Sequence, residues 1–222
     1  MLELNKLYHM DCMEAMKDIP DKYFELAIVD PPYGINVMAN DTVGGEKLAK
    51  VKKYGKKEWD LNPPEKYYFE ELLRISKHQI VWGANHFISK IPLDSSCWVV
   101  WDKDNTGNFA DCELAWTSFK TAVRKFEYRW NGMLQGDMKN KENRIHPTQK
   151  PVALYEWLLN NYAKKGDKIL DTHVGSASSL IACYNLGFDY MGFELDEDYY
   201  KAACKRIEAR KNQMDIFYME EQ

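Results

Sequence analysis

Residues 168–200 read KILDTHVGSASSLIACYNLGFDYMGFELDEDYY. KILD (168–171) is a short apolar run that ends on an acid, and a Gly-Ser turn follows it. SSLIACYNL has helical character and is closed by Gly187, YMGFEL (190–195) returns as a strand, and a last helix runs from about Asp196 to Lys211. Strand, turn, helix and strand in this succession make a parallel unit. Working outward, ELAIV (25–29), QIVWG (79–83), CWVVWD (97–102) and ELAWTSF (113–119) are further strand-like runs, and Lys6–Met10 is a short one. KPVALYEWLLNNYA (150–163) is an amphipathic helix. Another helix is expected after Asn62 as N-cap, with Pro63 first, Glu65 completing a capping-box-like pattern and YYFEELLRI as its body. The alternation predicts an α/β, Rossmann-like, doubly wound and mostly parallel sheet, whose ligands bind beyond the carboxyl ends of the strands.

The chain has 222 residues, 45% of them hydrophobic and 14% aromatic, which suits a single domain spanning 1–222 and excludes a disordered protein. No apolar run exceeds five residues, and MLELNKLYHMDCME lacks the basic-then-apolar plan of a signal peptide, so a cytoplasmic protein without membrane contact is expected. Five cysteines without a CxxC pair read as reduced thiols, and isolated histidines make a metal site improbable. Net charge is −4, which at face value speaks against nucleic acid. The distribution says otherwise: residues 47–57 carry +6 and 119–150 carry +5.

Four strand-end groups carry the chemistry. Asp30-Pro31-Pro32-Tyr33 ends ELAIV; two prolines remove two N–H donors, so Asp30 and the Pro31 carbonyl could hold an amino group while Tyr33 offers a flat face. A strand-terminating turn with a solvated Asp is the plain alternative. Asp171-Thr-His-Val-Gly175-Ser176 lies between a strand and a helix, and it is neither a P-loop nor GxGxxG. Glu194, 23 residues after Asp171, stands where an acid grips a ribose diol; a helix-start acid is the competing reading, serious for Asp196 and weaker for Glu194, which is still within the strand. His146-Pro147-Thr148-Gln149-Lys150-Pro151 packs polar groups between prolines, and Thr148 as a helix cap accounts for part of it.

In this order, DPPY, HPTQKP, DTHVGS and FELDEDYY resemble the S-adenosylmethionine-dependent DNA amino-methyltransferases of the permuted (β) class. WGANHF (82–87) and WDKDN (101–105) are similar to the small adenine-N6 enzymes of phages and prophages. The resemblance spans about Leu7 to Ile207 and implies a seven-stranded methyltransferase sheet with permuted motif order. It also implies roles: Asp30, Pro31, Pro32 and Tyr33 catalytic; Asp11, Cys12, His146, Thr148, Lys150, Asp171, Thr172, Gly175, Ser176 and Glu194 around S-adenosylmethionine. For Asp11 a helix N-cap is the competing explanation. The family usually has Pro-Phe after the motif Asp and a second glycine; here Thr172-His173 and Ala177 stand instead, so the turn must tolerate a Cβ. His173 is expected to pack, with lining the pocket as the alternative.

By this resemblance, Asp30 and the Pro31 carbonyl accept both N–H bonds of an amine, localising its lone pair for in-line attack on a sulfonium methyl. The base leaves the DNA stack and Tyr33 is its stacking partner. Asp rather than Ser before PPY favours adenine N6 over cytosine N4. Loops 34–60 and 120–145 are the candidate DNA contacts, through Lys52, Lys53, Lys56, Lys57, Arg124, Arg129, Lys139 and Lys141, with solvated loop charge as the alternative for each. So little inserted sequence implies a short recognition site or help from a second subunit of a homodimer. The competing readings are cytosine N4, an RNA base or a glutamine amide as substrate, and a catalytically impaired DNA-binding relative.

Overall fold

The KILD run becomes β9 (Lys168–Asp171), a strand paired in parallel on both sides. A strand flanked by neighbours and covered on both faces cannot alternate polar with apolar, and this explains its continuous hydrophobicity. The computed structural model describes residues 2–37, 57, 59–105, 110–131 and 134–220. Before β9 come β1 (Lys6–His9), α1 (Cys12–Lys17), β2 (Phe24–Val29), α2 (Lys66–Ile75), β3 (Ser76–Trp82), β4 (Trp98–Asp102), β5 (Cys112–Thr117), β6 (Arg124–Glu127), the short β7 (Trp130–Asn131) and β8 (Leu134–Gln135), and α3 (Val152–Tyr162). After it come α4 (Ser178–Leu186), β10 (Asp189–Glu194) and α5 (Glu197–Glu220). The main sheet has the order β1-β10-β9-β2-β3-β5-β4-β6, and β5 alone runs antiparallel to its neighbours. β7 and β8 form a separate antiparallel pair.

Each face of the sheet has its own core. Leu26, Ile28, Ile80, Ile169 and Tyr190 point to the side covered by α3, α4 and α5, where they meet Leu154, Leu158, Leu180, Ile181 and Ala203. Ala27, Val29, Val81, Leu170, Met191 and Phe193 point the other way, onto Met16 of α1 and Phe69, Leu72 and Ile75 of α2. Successive strand residues alternating between two apolar layers is the signature of a doubly wound sheet. No described helix is long and apolar enough to cross a membrane.

Three expectations need correction. The sheet has eight strands, not seven, because RKFE, inside the 120–145 segment read as a loop, pairs in parallel with β4 as β6. Its Phe126 ring packs on Tyr128 and Trp157, a contact that local composition hides. Helix α2 starts at Lys66 with Glu65 in the N-cap position, not at Asn62. The preceding residues are committed to the DPPY turn: a Cβ on Gly34 (φ +74) would lie 2.5 Å from Pro63 Cδ. Thr148 does not cap α3: Pro151 stands at the N-cap, the Val152 N–H donates to Glu142 at 2.9 Å, and the Thr148 hydroxyl bonds His146 Nδ1 at 3.1 Å.

Two side chains fix the edge on which the strands end. Asp60, 3% exposed, accepts N–H bonds from Tyr33 (2.7 Å), Gly34 (3.0 Å) and Val37 (3.0 Å), so it ties the far end of the 34–60 segment to the DPPY turn. Arg206 of α5 donates to the Ser176 carbonyl (2.7 Å) and pairs with Glu142, which joins the DTHVGS turn to the segment before α3.

Asp60→Ala leaves three turn N–H groups without their acceptor and should cost about 1–3 kcal/mol in urea unfolding. Gly192→Ala should cost a similar roughly 1–3 kcal/mol by overpacking, since its Cβ would stand 2.6 Å from Val174 Cγ2 and 2.8 Å from Leu180 Cδ1.

Candidate active site

Because β1, β10, β9, β2, β3, β4 and β6 all run the same way, their carboxyl ends share one edge, and the antiparallel β5 brings its amino end there. The chain places an acid at nearly every one of these ends. Asp11 follows β1, Glu194 ends β10, Asp171 ends β9, Asp30 follows β2, Glu113 is the second residue of β5 and Asp102 ends β4. Packing carboxylates side by side out of water is costly unless cations or N–H donors meet them.

At the DPPY turn the compensation is ionic. Lys150, 3% exposed, donates to Asp30 Oδ2 at 2.6 Å and to the Tyr33 oxygen at 3.1 Å, and pairs with Glu113 Oε2 at 3.0 Å. Tyr33 donates its hydroxyl proton to Asp30 Oδ1 at 2.8 Å. Lys103, from the turn after β4, pairs with the other Glu113 oxygen. Burial raises the Asp30 carboxyl above the usual carboxylate range, with the Lys150 ammonium opposing the rise. Burial also pushes Glu113 up, but Lys150 and Lys103 together overcome it and hold that carboxyl at about 2. Lys150 stays charged above the ordinary lysine value, since two carboxylates outweigh its desolvation.

The Tyr33 ring is fixed by packing. A Cβ on Gly83 (φ +68) would lie 2.0 Å from its Cε1, so only glycine lets the ring approach the end of β3. His86, exposed, stacks on the same ring with centroids 5.0 Å apart and 16° between planes. WGANHF therefore backs the tyrosine.

The second half of the site lies around the DTHVGS turn, on the strands next to β2. Asp171, 2% exposed, accepts the His173 N–H (3.0 Å) and the Ser179 hydroxyl. Burial drives its carboxyl to about 7, and those two hydrogen bonds work against the shift. Glu194 accepts the Gly175 N–H at 2.7 Å and the Asp196 N–H at 2.8 Å, and burial raises it too. Thr172 shares a 2.6 Å hydrogen bond with the buried Tyr68 hydroxyl. Ser176 bonds Ser178 at 3.1 Å. Gly175 takes φ +52, and a Cβ there would point at the His146 ring, 3.5 Å away. His146 is 8% exposed, meets Tyr199 edge-on at 4.3 Å, and is held neutral by burial, its value about 3.

The remaining expected residues divide. Asp11 caps α1 through the Met13 N–H (2.8 Å), the alternative weighed for it, and Cys12 sinks its thiol into the α1/α2 core, where burial pushes it to about 12. His173 packs edge-on against Tyr68, and burial lowers it to about 4, in keeping with a packing role. Lys57 pairs with Asp196 (2.7 Å) and Asp198 (2.7 Å) at the start of α5. Arg129 pairs with Asp104 near the carboxyl edge, and Lys139 and Lys141 are exposed before HPTQKP. Arg124 opens β6 opposite Val99, near the amino end of β4, and so is not brought to the site. Lys52, Lys53 and Lys56 lie outside the described residues. Sequence reading missed Glu113, Lys103, Asp60, Tyr68 and Tyr199. Only Glu113 carried a signal, an acid at the mouth of a strand otherwise rich in Ala and Trp.

Comparison with known proteins fits this geometry. M2.DpnII, a type II methyltransferase of Streptococcus pneumoniae, is 25% identical over 91% of this chain and 89% of its own length. The crystal structure of the M1.HpyAVI–SAM complex shares the fold with a TM-score of 0.57 at 22% identity, covering 90% of this chain and 98% of that one. The cytosine-N4-specific PvuII DNA methyltransferase superposes with a TM-score of 0.60 at 13% identity, covering 94% and 91%. A DNA methylase family model matches residues 89–205, which takes in Glu113, the HPTQKP segment, the DTHVGS turn and Glu194. This chain belongs to the N6/N4 DNA methylase family.

Proposed function

We propose that this DNA methylase transfers the methyl group of S-adenosylmethionine to the N6 amine of adenine in DNA, working in the cytoplasm. The observation that carries the reading is the placing on adjacent strands of an acceptor group, Asp30 in DPPY, beside two carboxylates that lack full charge compensation, Asp171 and Glu194. Such carboxylates suit a ligand bearing a sulfonium and an ammonium. Asp171 and Glu194 are met by N–H and O–H donors rather than by cations, and Gly175 leaves open the space beside His146 that a Cβ would fill. The residues fit S-adenosylmethionine: Glu194 would hold a ribose diol, and Asp171, Thr172, Gly175, Ser176, His146 and Thr148 would hold the rest. When bound, this group supplies an electrophilic methyl on sulfur.

The chain's part is positioning. Asp30 and the Pro31 carbonyl accept hydrogen bonds from the exocyclic amine and orient its lone pair, with no donor from either proline to compete. Tyr33, braced by Gly83 and His86, gives the extruded base a rigid neighbour. The exposed Lys139 and Lys141 supply phosphate contacts next to the site. Asp before PPY, an acceptor of full charge, supports adenine over cytosine.

Transfer of labelled methyl to mixed DNA, followed by nucleoside analysis, should place the label in N6-methyladenine; label in N4-methylcytosine, or none in DNA, overturns the reading. Asp30→Ala should lower the transfer rate by about 100- to 1,000-fold while cofactor affinity stays near wild type.

The Asp171 carboxyl gives a second prediction. A cationic ligand favours its ionised form, so affinity for S-adenosylmethionine should rise as pH passes upward through about 7, and Asp171→Asn should flatten the rise. In the ligand-free chain the same shift affects stability with the opposite sign. The folded state binds the proton more tightly than the unfolded state, so this contribution is full below the ordinary Asp value and is lost as pH rises through about 7. Calorimetry and urea unfolding across that range check both.

A further inference from the structure

The sequence reading set Lys150 around S-adenosylmethionine, but its ammonium lies on Asp30 and Glu113, and neither Glu113 nor Lys103 has a role in the function proposed above. Lys150 touches both carboxylates, Asp30 Oδ2 at 2.6 Å and Glu113 Oε2 at 3.0 Å, and is almost wholly buried with its side chain over the Trp82 and Tyr33 rings. In this position its ammonium occupies an oxygen of Asp30 that the target amine also needs. If the ammonium belonged to Asp30 alone, the amine would have to displace a full ion pair inside the protein, where such pairs are strong. Glu113 is the second seat: its Oε2 also lies 3.3 Å from the Tyr33 hydroxyl, and its Oε1 is anchored by Lys103.

We infer that Glu113 is a positioning residue for methyl transfer: it draws the Lys150 ammonium off Asp30 when the target amine arrives, and Lys103 sets how strongly it pulls. The inference rests on the function proposed above and adds to it a way for Asp30 to be ion-paired at rest yet free to accept the amine. The distribution of charge supports it. Glu113, with two cations, is held at about 2, whereas Asp30, sharing one, stays above its ordinary value. The groups that face this pair come from several elements: Lys150 and Tyr155 from before and within α3, Tyr33 from the turn after β2, Tyr68 from α2, Lys103 from the turn after β4, and Asp171 from β9.

Opposed substitutions test it. Glu113→Gln removes a negative charge and the second seat, so Lys150 settles on Asp30. The single-turnover methyl-transfer rate on its pH plateau should fall about 10- to 100-fold, and the acidic limb of the rate profile should move to lower pH. Lys103→Gln strengthens the pull of Glu113 on Lys150 and removes a positive charge, so the same limb should move to higher pH. Affinity for S-adenosylmethionine should stay within about twofold of wild type in both, and Glu113→Asp should recover part of the lost rate. A lesion that only loosens the fold would lower the rate without moving the two limbs in opposite directions. Limbs that stay in place or move together overturn the inference, as does a Glu113→Gln plateau equal to wild type. A wild-type chain that transfers no methyl to adenine in DNA overturns the underlying reading and this inference with it. Wild-type transfer with unmoved limbs overturns the inference alone.

Discussion

The Lys150 ammonium between Asp30 and Glu113 is the contact on which the arrangement of the site depends. It is a long-range tie, joining the turn after β2 to the segment before α3 across 120 positions of sequence. Removing one partner from a buried pair leaves an uncompensated charge, a loss far greater than the net value of the pair. The pair therefore constrains its surroundings more than it stabilises the fold. Trp82 must end β3 where its ring lies under the ammonium, Gly83 must lack a side chain so that Tyr33 can close over it, and β5 must run backwards to bring Glu113 to the catalytic edge.

That antiparallel strand explains how much of the site was legible. A parallel strand preceding a turn announces its candidate residue by position, as Asp30, Asp171 and Glu194 do, because each follows an apolar run. Glu113 sits at the start of its strand, and only the sheet order shows that this start lies beside the ends of the others. Lys150 was read from its motif, but its contact with Asp30 was not, since no local pattern relates residues so far apart. The doubly wound class was readable because β2, β9 and β10 are buried on both faces. β6 was not readable, because Arg124, Lys125 and Glu127 surround the one residue, Phe126, that packs inward.

The two halves of the site solve the same electrostatic difficulty in different ways. Around Asp30, charge meets charge, and the group is nearly neutral before any ligand arrives. Around Asp171 and Glu194, only dipoles meet the carboxylates, and burial lifts both. A site compensated by its own lysines favours a neutral amine, which must compete with those lysines for hydrogen bonds. A site left partly uncompensated favours a cation. The distinction follows from which strand ends have lysines beside them, and under the proposed function the neutral acceptor and the cationic donor would take neighbouring strands.

The departure at Ala177 can be judged in the same terms. Ala177 adopts φ +63, a left-handed conformation that costs a residue with a Cβ about 1–2 kcal/mol. Its N–H reaches the Val174 carbonyl at 3.0 Å, and its own carbonyl accepts the Ile181 N–H at 3.0 Å, so the strained residue closes the turn and opens α4. The methyl is fully buried in the layer with Leu180 and Ile181. The other left-handed position in the turn, Gly175, is the one whose Cβ direction faces the pocket, and there the glycine is kept. The extra carbon thus falls on the packing side of the turn, where burial of a methyl offsets part of the strain, and the ligand side retains the space its chemistry requires.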